Sequence, residues 1–153
     1  LLHENDVASL KGFGDLLRAT FRQNLAARAK AKASSTHAKA FSAANLLDGS
    51  RETYWCAAGA DKSPSVELDL RGEAAFNVIR LREEIRLGQR IGGAGIDAWK
   101  NGAWSPLAET TSIGSCRLIR LAETARAARL RLRITEAAAC PALSEFGLYL
   151  EPA

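Results

Sequence analysis

Residues 128–135 read ARLRLRIT. Arg129, Arg131 and Arg133 alternate with Leu130, Leu132 and Ile134. A period of two belongs to a strand with one face in the core and one in water. With Arg126 nearby, the arginines also offer the basic face that nucleic acid or anionic lipid would bind. No aromatic residues are interleaved for base stacking. The alternation therefore predicts a solvated strand face, with neither nucleic-acid binding nor membrane insertion.

The same period recurs on both sides of this stretch. Val66, Leu68 and Leu70 alternate with Glu67 and Asp69. Residues 76–82 are apolar and branched, and Ile79, Leu81, Ile85 and Leu87 carry an alternation onward. Residues 94–100 lead into Asn101-Gly102, a hairpin signal, and then Trp104. Residues 117–121 and 146–150 add two more candidates. At 27–33, Ala alternates with Arg28, Lys30 and Lys32. Ala and Lys favour helix, but the period predicts a strand with a small-residue inner face. Many short strands between turns predict an all-β antiparallel sandwich or jelly roll.

Residues 5–25 differ. Val7, Leu10, Phe13, Leu17, Phe21 and Leu25 recur at spacings of three and four. They form one stripe of an amphipathic helix, with Asn5 or Asp6 as its cap. Such a stripe must be buried against the β domain or against a domain outside this chain.

Length and composition set the outer bounds. The chain has 153 residues, 47% hydrophobic and 25% charged, with a net charge of +4. That suits one domain with its own core. It has no Met and begins Leu-Leu-His, so a piece of a longer protein is expected. No apolar run reaches membrane-span length, and no signal peptide is recognisable. Three cysteines, Cys56, Cys116 and Cys140, are too scattered for a disulfide framework. A single Cys56–Cys140 pair stays open, and with it the redox compartment.

Catalytic patterns are missing. There is no GxSxG, and His3 and His37 lie outside any ligand or nucleophile spacing. The run GQRIGGAG (88–95) lacks the Lys-Ser/Thr of a phosphate loop. Glu83 and Glu84 are adjacent, so on a strand they face opposite sides and cannot work as a glycosidase pair. The chain is therefore expected not to be an enzyme by itself.

Two stretches have binding chemistry. In NLLDGSRETYW (45–55), Asp48-Gly49 makes a tight turn, and Asp48, Ser50, Glu52 and Thr53 crowd oxygens into it. A hard cation such as Ca²⁺ takes six to eight such ligands. Glu145, set in an apolar run near the end of the chain, is a further carboxylate in need of a partner. The other stretch, 82–90, reads REEIRLGQR and offers many hydrogen bonders. Trp99 and Trp104 flank the Asn101-Gly102 turn. Sugar sites combine an aromatic face with charged groups that grip hydroxyls. The competing reading puts the tryptophans in the core and makes the Arg-Glu edge a salt-bridged face.

These segments, taken in order, resemble one family. NLLDGSRETYW (45–55), VELDL (66–70), FNVIRLREEIRLGQRI (76–91), TTSIGSCRLIRL (110–121), ARLRLRI (128–134) and ACPALSEFGLYL (139–150) resemble the discoidin, or coagulation factor 5/8 type C, domains, which include carbohydrate-binding module family 32. The resemblance is to the C-terminal domain of α-L-fucosidases of glycoside hydrolase family 29. Residues 1–26 are similar to the helix that closes their catalytic domain, which leaves 27–153 as the β domain.

The resemblance implies a galactose-binding-like, eight-stranded jelly-roll β-sandwich preceded by one helix. It implies a structural Ca²⁺ held by the side chains of Asp48, Thr53 and Glu145 and by carbonyls of Asn45, Ser50, Thr53 and Ser144. It implies a non-catalytic module that positions a fucosidase on galactose- or fucose-containing glycans, in a periplasmic or secreted setting. The candidate sugar contacts are His37, Glu83, Arg86, Gln89, Arg90, Trp99 and Trp104. The alternative is a docking domain that packs on the catalytic domain of the parent chain and binds no sugar.

Overall fold

The computed structural model describes residues 3–152. One helix, α1 (Glu4–Thr20), leads into seven strands: β1 (Lys30–Ala33), β2 (Trp55–Cys56), β3 (Ser65–Glu83), β4 (Ile91–Lys100), β5 (Ala103–Thr110), β6 (Arg117–Ala137) and β7 (Ala142–Tyr149). All strand pairs are antiparallel. Short 3₁₀ turns fill Lys39–Phe41, Ala43–Leu46 and Ile85–Leu87.

Two long strands build both layers of the sandwich. Residues 65–69 of β3 pair with 129–133 of β6, in a layer ordered β1-β3-β6-β4-β5. Residues 78–81 of β3 pair with 117–120 of β6 and with β7, in a layer that ends at β2. The register breaks between Asp69 and Ala74, where Arg71 adopts a positive φ of 60°. Segments 66–70 and 76–82, expected as two strands, are thus one strand that bends from layer to layer. Segments 117–121 and 128–135 merge in the same way. The jelly roll forms with seven continuous runs, because bulges re-aim strands without ending them.

The alternation places residues as expected. Leu130, Leu132 and Ile134 are buried, while Arg129, Arg131 and Arg133 face outward half-exposed. Trp55, Phe76, Ile79, Leu81 and Phe146 join them in one core. Each such side chain contributes about 1.5–3 kcal/mol by leaving water. Asn101 and Gly102, with φ of 50° and 81°, close the β4–β5 hairpin. Pro106 sits on β5, an edge strand, where its missing N–H does little harm.

The helix is shorter than the stripe suggests. His3, not Asn5 or Asp6, is the cap, and its Nδ1 accepts from the Asn5 N–H at 3.3 Å. Beyond Thr20 the chain turns toward the sheet. Asn24 Oδ1 accepts from Ala26 N and Leu148 N, both at 3.0 Å, and Leu25 N donates to Leu148 O at 2.9 Å. Turns at 24–29 delay the first strand, so β1 begins at Lys30 rather than at 27. Phe21 and Leu25 reach the β domain, but Leu10 and Phe13 stay 60% and 59% exposed. Most of the stripe is not covered within this chain. No helix is long and apolar enough to cross a membrane among the described residues.

Candidate functional site

The Asp48 loop is self-contained. Gly49 takes φ 74°, which side chains resist, and this folds the loop back on Asp48. Asp48 Oδ1 accepts from Ser50 N at 2.8 Å, and Oδ2 accepts from the Thr53 hydroxyl at 2.6 Å. Ser50 Oγ accepts from Glu52 N at 3.1 Å. Asn45 Nδ2 donates to Ala40 O and Tyr54 O at 2.8 and 2.9 Å, which braces the loop from behind.

Glu145 lies on β7 opposite Arg82, and Gly147 lies opposite Arg80. Its carboxylate bridges both arginines: Arg80 Nε to Oε1 at 2.8 Å and Arg82 Nε to Oε2 at 2.8 Å. Tyr149 donates its hydroxyl to Oε1 at 2.9 Å and itself accepts from Arg80 Nη2. Burial first, then the bond to Glu145, pushes the Tyr149 hydroxyl above its usual pKa, so it remains a donor. Arg80 lies against the rings of Tyr149 and Phe21, at 4.6 and 5.0 Å from their centroids, and the rings meet edge-to-face at 4.9 Å. Gly147 makes room for this cluster, since a Cβ there would lie 2.8 Å from Glu145 Oε1.

This arrangement does not suit a Ca²⁺ shared between the loop and Glu145. Asp48, Ser50 and Thr53 do converge, but they supply a single carboxylate. Both oxygens of Glu145 already face guanidinium groups, which would repel a dication placed beside them. Ser144 is buried next to Glu145 and lines the same cavity as Ser50.

In the 82–90 segment, Glu83 and Arg90 are used internally. The buried Glu83 carboxylate accepts three main-chain N–H groups, from Arg90 at 2.8 Å, Ile91 at 3.0 Å and Gly114 at 2.6 Å. Arg90 donates to Leu87 O at 3.2 Å and to Cys140 O at 3.0 Å. Glu83 is therefore not free to grip a hydroxyl, contrary to expectation, while Arg90 spends Nε and Nη1 on main-chain carbonyls. The reason is that β3 ends at Glu83, where the turn needs an anion for its own orphan donors.

Arg86 is exposed and forks between Glu84 Oε1 at 2.6 Å and Glu52 Oε2 at 2.7 Å. Its guanidinium holds the buried Glu84 carboxyl below the usual range. Gln89 is exposed at the tip of the same turn.

Trp99 and Trp104 form an edge-to-face pair at 5.1 Å on the β4–β5 hairpin. Arg129 and Arg131 lie over them, at 5.0 Å from Trp99 and 4.7 Å from Trp104. Arg131 and Arg133 both bind the buried Asp97, at 2.6 and 2.7 Å. The Arg133 bond leads in holding the Asp97 carboxyl below its usual pKa. Trp99 is separated from Arg90 by the length of β4, roughly 25–30 Å at 3.3 Å per residue. The tryptophans therefore lie apart from Arg86 and Gln89, although both groups are candidate sugar contacts.

The remaining expected contact, His37, stands with partners that sequence reasoning missed. Its exposed ring lies 5.8 Å from Phe41, which lies 4.9 Å from Tyr54. This aromatic run is joined to Arg86 through Glu52, two residues before Tyr54. The available signal was an aromatic on each side of the Asp48 loop. The Asp48 loop, through residues 49–52, lines two cavities of about 220 and 210 Å³ that share Arg51 and Ser144. The first reaches Glu145 and Arg82, and the second reaches Glu84 and Arg86.

The fold is an antiparallel β-sandwich whose connecting loops carry charged and aromatic side chains. The chain belongs to the F5/8 type C domain family, whose model matches residues 30–146, and it is a non-catalytic module. It is 28% identical to Alpha-L-fucosidase 1 of Arabidopsis thaliana, over 99% of this chain and 31% of that protein. The crystal structure of SpGH29 superposes with a TM-score of 0.92 at 31% identity, covering 99% of this chain and 33% of that one. A family 29 fucosidase of Ruminococcus gnavus in complex with fucose gives 0.88 at 30% identity, over 99% and 31%. The chain thus spans about a third of the length of these relatives. A Clostridium perfringens module, CpGH89CBM32-5, in complex with GalNAc-β-1,3-galactose, shares the fold, with a TM-score of 0.75 at 18% identity over 83% and 99%.

Proposed function

We propose that this chain is the carbohydrate-binding accessory module of an α-L-fucosidase and presents galactose- or fucose-containing glycans to that enzyme. The observation that carries this is the aromatic run His37–Phe41–Tyr54 beside the exposed Arg86–Glu52 pair. A pyranose lays its C–H face on a ring while charged groups hold its hydroxyls. The modules of this fold solved with chitotriose and with GalNAc-β-1,3-galactose support the class of ligand. The test is a titration of the chain with galactosides and fucosides by NMR. Shifts centred on residues 37–54 and 84–90 are expected, with a Kd on the order of millimolar. Phe41→Ala and Arg86→Ala should each weaken binding about tenfold or more. No shift at tens of millimolar ligand would remove the recognition role.

A second reading is favoured by the exposed Leu10, Phe13 and Leu17 on α1. In it, the helix packs on the catalytic domain of the parent chain and the module stabilises that domain. Leu10→Ser with Phe13→Ser should then lower the melting temperature of the parent protein while leaving that of this chain unchanged. Equal melting of the parent with and without the substitutions would refute it.

A further inference from the structure

Cys56 and Cys140 come together across the β2–β7 pair. Cys56 lies opposite Ala142, and Ala57 N donates to Pro141 O at 3.0 Å just beyond. Cys140 is therefore a diagonal neighbour of Cys56, the position from which cross-strand side chains meet. The register puts both side chains on the same face of the β2–β7 pair. Their environments differ. Cys56 is buried, and burial first, then the neighbouring Cys140, pushes its pKa up. Cys140 is half-exposed, and Arg90 Nη1 donates to its Sγ at 3.2 Å. The half-exposed Cys140 sulfur is the one a dissolved oxidant can reach, and a thiol reacts in disulfide exchange as its thiolate.

We propose that Cys140 and Cys56 form a dithiol switch that closes into an intramolecular disulfide by exchange with a small-molecule disulfide such as oxidised glutathione. The Cys140 thiolate attacks one sulfur of the oxidant. The oxidant's S–S bond breaks, and one glutathione thiolate leaves and takes a proton. Cys56 gives its proton to water and attacks Cys140 Sγ in the mixed disulfide. The Cys56–Cys140 bond forms, and the second glutathione leaves as a thiol. The protein loses two electrons and two protons, and the oxidant gains both. The new bond ties the β6–β7 connection to β2. The His37 N–H donates to Cys56 O at 2.8 Å, so the switch acts next to one end of the aromatic run.

The experiment uses the whole chain with Cys116→Ser, which removes the exposed third thiol. After incubation with oxidised glutathione, thiols are counted in denaturant and intact mass is measured without reductant. Both thiols should disappear and the mass should fall by about 2 Da, for two hydrogens, with no adduct. The melting temperature should rise by about 5–10 °C, because the bond closes a long loop. Adding Cys56→Ser should leave a stable single glutathione adduct on Cys140. Three results would overturn the proposal: a lasting adduct on Cys140 with Cys56 still reduced, a disulfide-linked dimer, or two unreacted thiols.

Discussion

Glu145→Gln is the most direct test of how the last strand is held. The wild-type carboxylate neutralises Arg80 and Arg82, and the side chains are 13%, 22% and 20% exposed. Removing one partner from a fully buried ion pair costs about 3–5 kcal/mol, because the other charge is stranded. Here about a fifth of each arginine reaches water, so the expected loss is about 2–3 kcal/mol. A chain of this size shifts by about 2–4 °C per kcal/mol, so the melting temperature should drop by about 5–10 °C. Glutamine keeps an oxygen for the Tyr149 hydroxyl, so the loss reports on charge rather than shape. Replacing Arg80, Arg82 and Glu145 together by glutamine should recover part of the loss, since no charge is then stranded. Thermal melts with EDTA and with added Ca²⁺ complete the assay. The arginine cluster predicts no effect of either on the wild-type chain. A wild-type melting temperature that rises with Ca²⁺ and falls with EDTA would refute the reasoning, as would a Glu145→Gln chain that melts like wild type.

Other outcomes are equally specific. Glu83→Ala strands three buried N–H groups and should cost more than about 3 kcal/mol in chemical denaturation, with faster amide exchange at Arg90, Ile91 and Gly114. Asp97 and Glu84 have folded pKa values below their unfolded ones, so their stabilising effect is complete above the ordinary carboxylate pKa of about 4. It is lost as pH falls from there through the lower folded values, and Asp97→Asn should flatten that part of the stability–pH curve. Gly95→Ala places a Cβ 2.6 Å from Arg133 Nη2, which must leave Asp97. The expected loss is about 1–2 kcal/mol by urea denaturation, and Arg133→Ala should abolish the difference between Gly and Ala at position 95.

Much of the fold was legible because a period of two admits few alternatives. Residues 66–70 and 128–135 lie where their alternation puts them, 94–100 forms the expected strand, and Asn101-Gly102 closes the expected hairpin. What could not be read was where a strand bends rather than stops. That depends on the positive φ at Arg71 and on the pairing of β3 with β6, which are tertiary facts. The site was legible only within short range. Asp48 and Thr53 meet because five residues and a glycine bring them round. The partners of Glu145 stand 63 and 65 residues earlier and are set by the register of β7 on β3. Glu83 looked like a free hydrogen bonder because nothing local reveals that Gly114 N–H would turn toward it.

The grip of Glu83 and Glu84 on the turn between β3 and β4 has a consequence for engineering. Glu84 N donates to Ala142 O and Arg90 N donates to Glu83, so both ends of residues 85–89 are fastened to the sandwich, while Ile85, Arg86, Leu87 and Gln89 project from it. The turn is a graft position with its own anchors. A foreign recognition loop spliced between Glu84 and Arg90 that keeps an arginine for Glu84 would inherit a fixed base, and its specificity could be varied without redesigning the sandwich beneath.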